Sequence, residues 1–474
     1  MNNSISSPCS IGTNAHTYKL FEDLQVSITE TDNPFGLPVA CLFSMAARVN
    51  KKRSFLFVSK LLGKHIPVNP YTSLLSGAAL ALLIQKRLFP QFGETSEALL
   101  EQVLSGLRTP DQAKEAYLFL AAHKPRLPEP LLCIGFAETA TALGHSVFNT
   151  FAGGASYMHT TREHIPQRSS LINFDEEHSH AVSHRCYALD PAFFSGGETV
   201  VLVDDEMTTG KTALNIIRDI QSKFPRKQYV IASLLDWRNA DNEQQVRQLR
   251  QELDIDIQSV HLLKGLMGVA GSPQLEAGNA LALTSNRTAA ELVVLHHAEA
   301  AEQIKAVSVS SGGECNSAPY LKHTGRFGMQ SAELEAADAG IHLLADWLKA
   351  YRGGSRALVM GTGEFMYMPM RIAAGMGEGI SYQSTTRSPI YAANLPEYAV
   401  TSGYRYPSPE DEAVSHFIYN VTPGQYDEIF VLFERDMPPA RVKPMLDILK
   451  QLAGKKVFAV FLTENVHGWE TFDR

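Results

Sequence analysis

Cysteine is scarce and scattered: Cys9, Cys41, Cys133, Cys186 and Cys315 form an odd-numbered set with no close pair. That spacing argues against a disulfide framework and a Cys-x-x-Cys metal site, and it fits a reducing cytoplasm. Long apolar runs are missing as well. The longest, residues 74–84, is too short and too rich in small residues to cross a bilayer, and residues 1–10 lack the basic-then-apolar pattern of a secretion signal. A soluble chain with no membrane partner is expected. Excess positive charge is also absent: 42 Lys and Arg stand against 50 Asp and Glu, a net charge of -8, with no long basic run. Nucleic acid therefore finds no electrostatic footprint, and small molecules or proteins are the expected partners. What is present is ample material for cores, 45% hydrophobic residues in 474, a length that suits two large domains or three.

The most informative stretch is Val200-Val201-Leu202-Val203-Asp204-Asp205-Glu206-Met207-Thr208-Thr209-Gly210-Lys211-Thr212. Four consecutive apolar residues suit a strand covered on both faces, as in the middle of a parallel sheet, and chemistry belongs at the carboxyl end of such a strand. Residues 208–212 supply hydroxyls and closely spaced backbone N–H groups ahead of a helical run at 213–220, a cradle for a phosphate monoester. The paired acids do not suit that phosphate. They suit the hydroxyls of the sugar that carries it, directly or through a divalent cation. A triphosphate P-loop shares Thr209-Gly210-Lys211-Thr212, but its motif places a glycine where Asp205 stands here. A purely structural role, with Asp204 and Asp205 capping the turn, is the other rival.

An apolar strand, two acids, three residues and then Thr-Gly-x-Thr resembles the signature of type I phosphoribosyltransferases, which bind 5-phosphoribosyl-1-pyrophosphate. The resemblance implies that Asp204 and Asp205 hold the ribose hydroxyls with Mg2+, and that Glu206, Met207, Thr208, Thr209, Gly210, Lys211 and Thr212 bind the phosphoribosyl group. It also implies a pyrophosphate loop after an earlier core strand. Leu131-Leu132-Cys133-Ile134-Gly135 followed by a helix at 139–149 matches that description, so Gly135, Phe136, Ala137, Glu138, Thr139 and Ala140 are its expected residues, with Glu138 acting on the metal or the sugar. The family places a closing lid between these elements, here residues 156–190, which carries Arg162 and the dense run Asp175-Glu176-Glu177-His178-Ser179-His180-Ala181-Val182-Ser183-His184. Glu177, His178 and His180 are read as contacting pyrophosphate or moving a proton; a zinc site and a solvated loop stand as rivals. Further on, a strand at 228–235 ends in Asp236-Trp237-Arg238. Two readings of Trp237, acceptor stacking with Asp236 alongside or core edge, stand equal.

The second half echoes the first. Ser156–Arg162 returns as Ser381–Arg387 at an offset of 225, Ile134–Glu138 as Met360–Glu364 at 226, and the strand leading into Met207 as the strand leading into Met437 at 230. The strand after the site helix is answered by residues 456–462. A duplication follows, with the second cradle lost because Pro438 and Pro439 remove amide donors. Gly361, Gly363, Glu364 and Arg387 are the candidate second-unit site, Arg387 as an anion fork or as a bridge between strand ends. Thr386-Arg387-Ser388-Pro389 is similar to the signature of the TRSP domain, found after a divergent phosphoribosyltransferase in predicted bacterial operons linked to tellurium resistance and stress.

The expected fold is therefore α/β, with two tandem phosphoribosyltransferase-like units of mostly parallel sheets flanked by helices, the second degenerate. The expected organisation is a tail at 1–16, a catalytic domain at 17–240, a connecting region at 241–330 and a TRSP domain at 331–474. The expected activity is Mg2+-dependent transfer of phosphoribose to or from a base-like nitrogen acceptor in the biosynthesis or salvage of a nucleoside-like metabolite, in a homo-oligomer or beside enzymes of the same pathway. The alternative is a non-catalytic module that senses phosphoribosyl pyrophosphate.

Overall fold

The computed structural model describes residues 14–21, 23–49, 53–92, 94–175, 183–271, 275 and 288–470. The first half runs β1 (Ala15–Phe21), β2 (Leu24–Asp32), α1 (Val39–Leu42), β3 (Phe43–Ala47), β4 (Phe55–Ser59), α2 (Pro70–Leu88), α3 (Glu94–Arg108), α4 (Ala113–Ala122), β5 (Leu131–Gly135), α5 (Ala140–Thr150) and β6 (Ala155–His159). It continues through β7 (Ile172–Asp175), β8 (Ser183–Cys186), β9 (Thr199–Met207), α6 (Lys211–Lys223), β10 (Gln228–Asp236), α7 (Ala240–Leu253) and β11 (Asp256–Ala270). The second half holds β12 (Glu291–His296), five two-residue strands β13 (Gln303–Ile304), β14 (Ser308–Val309), β15 (Cys315–Asn316), β16 (Tyr320–Leu321) and β17 (Met329–Gln330), then α8 (Leu334–Lys349) and β18 (Ala357–Gly361). It closes with α9 (Tyr367–Gly375), β19 (Ile380–Ser384), β20 (Gly403–Pro407), β21 (Ser415–Tyr419), β22 (Glu428–Phe433), α10 (Pro439–Leu452) and β23 (Lys456–Phe461).

Two sheets organise these elements. The first has the order β1-β2-β11-β10-β9-β5-β6-β17 and the second β12-β23-β22-β18-β19. From β11 to β6 the first sheet is parallel, and the second is parallel throughout. Their central strands are continuous apolar runs because helices cover both faces; Val200 to Val203 and Ile429 to Leu432 are all fully buried. Position for position, β10-β9-β5-β6 corresponds to β23-β22-β18-β19, so the duplicated strands occupy the same places in both sheets. One difference is instructive. The strand beside β10 comes after it in the chain, whereas β12, beside β23, precedes its whole unit.

Helix α2 joins the two halves. It opens on Asn69, whose side chain accepts from Tyr71 N–H, with Pro70 at the first helical position, and it is buried around most of its circumference. Small residues let it approach α5 closely: a Cβ on Gly77 would stand 2.3 Å from Ser146 Cβ. The apolar run at 74–84 is therefore core, and among the described residues no helix is long and apolar enough to cross a membrane.

Two expectations about organisation differ from the structure. Alternation over 18–29 predicts a single strand; β1 and β2 instead pair antiparallel. The stretch 241–330 is not a separate connection: α7 and β11 extend the first unit, β12 edges the second sheet, and β17 pairs back onto β6. Sequence periodicity does not reveal which sheet an edge strand joins, because that is a tertiary choice.

Candidate functional site

Strand β9 carries Asp204, Asp205 and Glu206 to its carboxyl end. Asp205 N–H donates to Asp204 Oδ1 at 2.9 Å, which fixes the Asp204 carboxylate beside the strand backbone. The chain then bends through Thr208 and Thr209 to Gly210, whose φ of 77° is the left-handed conformation that glycine adopts freely, and α6 begins at Lys211. A side chain at Gly210 would also crowd the Arg238 side chain at 3.0 Å. The first intrahelical bond runs from Leu214 N–H to Gly210 O, so the amides before it point out of the helix start toward the acids' end of the sheet. Burial pushes the Asp205 carboxyl up, against the pull of Lys64 and Arg53. A carboxyl in that position gains most from a nearby cation.

The second element lies beside the first. In the sheet, Gly135 pairs with Val203, and Phe136 N–H donates to Val203 O at 3.1 Å, so the loop after β5 and the acids after β9 leave the sheet as neighbours. Thr160 fixes this loop from the end of β6: its N–H donates to Gly135 O at 2.9 Å and its Oγ1 accepts from Ala137 N–H at 2.9 Å. The Ala137–Glu138 peptide is cis. The hairpin β7–β8 packs over the loop through Phe174 against Phe136 and His184 against Thr160 Oγ1, the latter at 3.0 Å. At Gly135 an added Cβ would meet Ala140 O at 2.5 Å and Tyr157 Oη at 3.0 Å. Gly135→Ala is therefore expected to cost about 2–3 kcal/mol in urea unfolding. Gly153→Ala, where a Cβ meets nothing within 4 Å, is the matched control.

The same construction recurs in the second unit. Thr385 N–H donates to Gly361 O at 3.1 Å and Gly363 N–H to Thr385 Oγ1 at 3.0 Å, and a Cβ on Gly361 would meet Phe365 O at 2.4 Å. Tyr382 Oη donates to Met366 O as Tyr157 Oη does to Thr141 O. Glu364 and Arg387 thus stand where Glu138 and Arg162 stand in the first unit. All four line one cavity of about 470 Å³ between the units, together with residues 308–311, 408–416 and 433–437.

Charged groups hold the two units together at this cavity. Glu364 accepts from Thr161 Oγ1 at 2.6 Å, from Arg162 N–H at 2.9 Å and from Arg326 at 2.8 Å. Burial works against its ionisation, yet Arg326 and His159 hold the Glu364 carboxyl down at about 2. The sign follows directly. A depressed carboxyl contributes stability that is complete above its unfolded value near 4.5 and is lost as pH falls toward 2, here on the order of 3 kcal/mol. Glu364→Gln should flatten the wild-type loss of stability across that acid window, as measured by urea unfolding at pH 5 and pH 3. On the other side, Glu138 is buried against Lys64 Nζ, with Arg162 at 3.6 Å from its second oxygen. Burial opposes its ionisation, but Lys64, His416 and Arg162 keep it below the ordinary range. Lys64 also donates to Gly363 O at 3.3 Å, so a first-unit cation spans both loops.

Several sequence expectations are corrected here. Trp237 is 3% exposed and stacks on Phe57 at 4.5 Å with Phe43 at its edge, so it is a core residue and leaves no face for an acceptor. Asp236 is fully buried and binds Arg238 through both oxygens, at 2.9 and 2.6 Å, rather than a ligand. Glu206 turns away from the cradle to Arg53 at 2.5 Å. Glu138 pairs with Lys64 and Arg162, and Glu138 and Arg162 both line the cavity between the units. Glu177, His178 and His180 lie outside the described residues. Asp204, Asp205, Thr208, Thr209, Gly210, Lys211 and Thr212 are gathered at one strand-to-helix turn, with Gly135, Phe136, Ala137, Thr139 and Ala140 beside them. Lys64, Glu163 and Arg326 were not singled out from the sequence. The one available signal was a cation set beside glycines of positive φ, Gly63 before Lys64 and Gly325 before Arg326.

Fold and site together define an α/β protein with paired acids and an open strand-to-helix turn at the carboxyl edge of a parallel sheet. Residues 42–266 match the phosphoribosyl transferase family and residues 323–449 the TRSP domain that lies C-terminal to it. The chain joins a domain of that transferase family to a TRSP domain. Among solved structures, similar ones include adenine phosphoribosyltransferase of Trypanosoma brucei (14% identity, covering 31% of this chain and 65% of that one, TM-score 0.23). Another is adenine phosphoribosyltransferase of Leishmania donovani (17%, covering 32% and 65%, TM-score 0.23). A third is a hypoxanthine phosphoribosyltransferase of Staphylococcus aureus (18%, covering 26% and 60%, TM-score 0.17). The chain thus spans less than two thirds of the length of each of these three. No curated protein matches it.

Proposed function

We propose that the first unit binds 5-phosphoribosyl-1-pyrophosphate at the carboxyl edge of its sheet and transfers phosphoribose to, or from, a base-like nitrogen acceptor. The observation that supports this most is the adjacency of two loops: the acids and amide cradle after β9, and the Gly135 loop after β5, joined by the Phe136 to Val203 bond. In this reading Asp204 and Asp205 orient the ribose 2- and 3-hydroxyls. The amides at the start of α6 hold the 5-phosphate. Backbone N–H groups of residues 138–140, beyond the Phe136 and Ala137 amides that hold the loop in place, face the pyrophosphate, where negative charge grows as the C1–O bond breaks, so they stabilise the transition state more than the ground state. The hairpin β7–β8 over that loop shields the sugar cation from water.

The residues present fit Mg2+. Asp204 and Asp205 are hard oxygen donors at an open strand end, as suits an ion that keeps waters and shares the substrate's phosphates. When bound, Mg2+ would neutralise charge on the leaving pyrophosphate.

The test is pyrophosphate release from phosphoribosyl pyrophosphate and Mg2+ across a panel of nucleobases and analogues. At least one acceptor should give turnover that Asp204→Asn/Asp205→Asn reduces by two orders of magnitude or more. Silence across the panel with binding retained would replace the transferase by a sensor.

A further inference from the structure

The cavity between the units lies at the carboxyl edge of the second sheet, the edge at which open parallel sheets take their ligands, and its volume of about 470 Å³ suits a small molecule. Its floor repeats the first unit's geometry. Phe136 N–H reaches Val203 O, and Thr362 Oγ1 reaches Leu432 O, so Glu434, two residues past Leu432, holds the position that Asp205 holds past Val203.

Three carboxylates share one cation on this wall. Glu163, Glu364 and Glu434 all converge on the single guanidinium of Arg326, at 3.1, 2.8 and 3.0 Å. Arg435 spends most of its donors elsewhere. It stands 3.5 Å from Glu163 and directs its donors to the carbonyls of Asn316 and Ala318 and to Ser308 Oγ. Glu434 is 6% exposed, lines the cavity, and has one oxygen, Oε1, with no hydrogen-bond partner. Burial pushes its carboxyl up despite Arg326, and Glu163 adds to the effect. A buried carboxylate oxygen with no donor is costly, and a ligand N–H removes that cost. Glu410 stands exposed in the same cavity.

We propose that this cavity is a second ligand site, built for a small molecule whose one cationic end, an amine or a guanidinium, is held by Glu434, Glu163 and Glu410. A polycation does not fit, since Arg387 and Arg162 share the walls.

The experiment is calorimetry on the full chain with L-arginine and L-lysine, with L-norvaline as the neutral-side-chain control, at matched ionic strength. The expected result is saturable one-to-one binding of at least one cationic probe and none of L-norvaline. Glu434→Gln and Glu410→Gln should each weaken that binding at least tenfold. Because Glu434 also bonds Arg326, Glu410→Gln decides the matter if Glu434→Gln does not fold. Asp204→Asn/Asp205→Asn should leave it unchanged, which separates this site from the phosphoribosyl site. No saturable binding of any cationic probe, or equal binding by wild type and both glutamine variants, overturns the proposal.

Discussion

Arg326→Ala is expected to destabilise the chain by about 3–5 kcal/mol, because it removes the cation shared by one buried and two half-buried carboxylates. The guanidinium is 2% exposed and bonds Glu364, Glu434 and Thr161 Oγ1, with Glu163 at 3.1 Å, so it ties the end of β6 to the loops after β18 and β22. Taking it away leaves like charges facing one another without the attraction that offsets their partial desolvation. The loss should shrink below about pH 5, where protons neutralise the carboxylates in its place. Arg326→Lys, which keeps the charge but not the planar fork, should recover only part of the stability. Urea unfolding at pH 7.5 and pH 4.5 measures both effects. A loss under 1 kcal/mol at pH 7.5 would show that the network does not hold the units together.

Lys64→Met is expected to cost a similar amount, about 3–5 kcal/mol, on the same physical ground but on the other side of the cavity. Lys64 is 2% exposed and pairs with Glu138, and burial alone lowers the lysine's proton affinity, so the ion pair exists because the two charges face each other. Removing the lysine leaves Glu138 with Arg162 at 3.6 Å as its remaining ion-pair partner. Adding Glu138→Gln to Lys64→Met should recover most of the loss, which a structural filler role for Lys64 does not predict. A double-mutant cycle by urea unfolding gives the coupling, expected to exceed about 1.5 kcal/mol. Simple additivity would sink the assignment.

Much of the site was legible because local rules and chain order coincide there. An apolar run followed by Asp204-Asp205 and Thr208–Thr212 can be nothing but a strand entering a helix through an open turn, and the structure builds β9, Gly210 and α6 in that order. Gly135 was readable for the same reason: a strand, a glycine and a helix leave room only for a close approach. The duplication was legible through the repeated Thr-Thr-Arg triplets, and the matching strand orders give it a physical meaning. What could not be read was tertiary. Trp237 follows a strand end, where a stacking platform and a core residue look alike, and only the hairpin β3–β4 with Phe43 and Phe57 decides between them. Glu138 looked free because its partner, Lys64, lies in a loop 74 residues earlier with no motif of its own. Arg326 gathers carboxylates from distant segments, and no local pattern marks such a hub.

The central claim is that one phosphoribosyl site lies at 204–212, and calorimetry with 5-phosphoribosyl-1-pyrophosphate and Mg2+ tests it most directly. Saturable one-to-one binding by the wild type, weakened at least a hundredfold in a folded Asp204→Asn/Asp205→Asn variant, is the predicted result. Absence of binding by the wild type, or equal binding by both proteins, would contradict it.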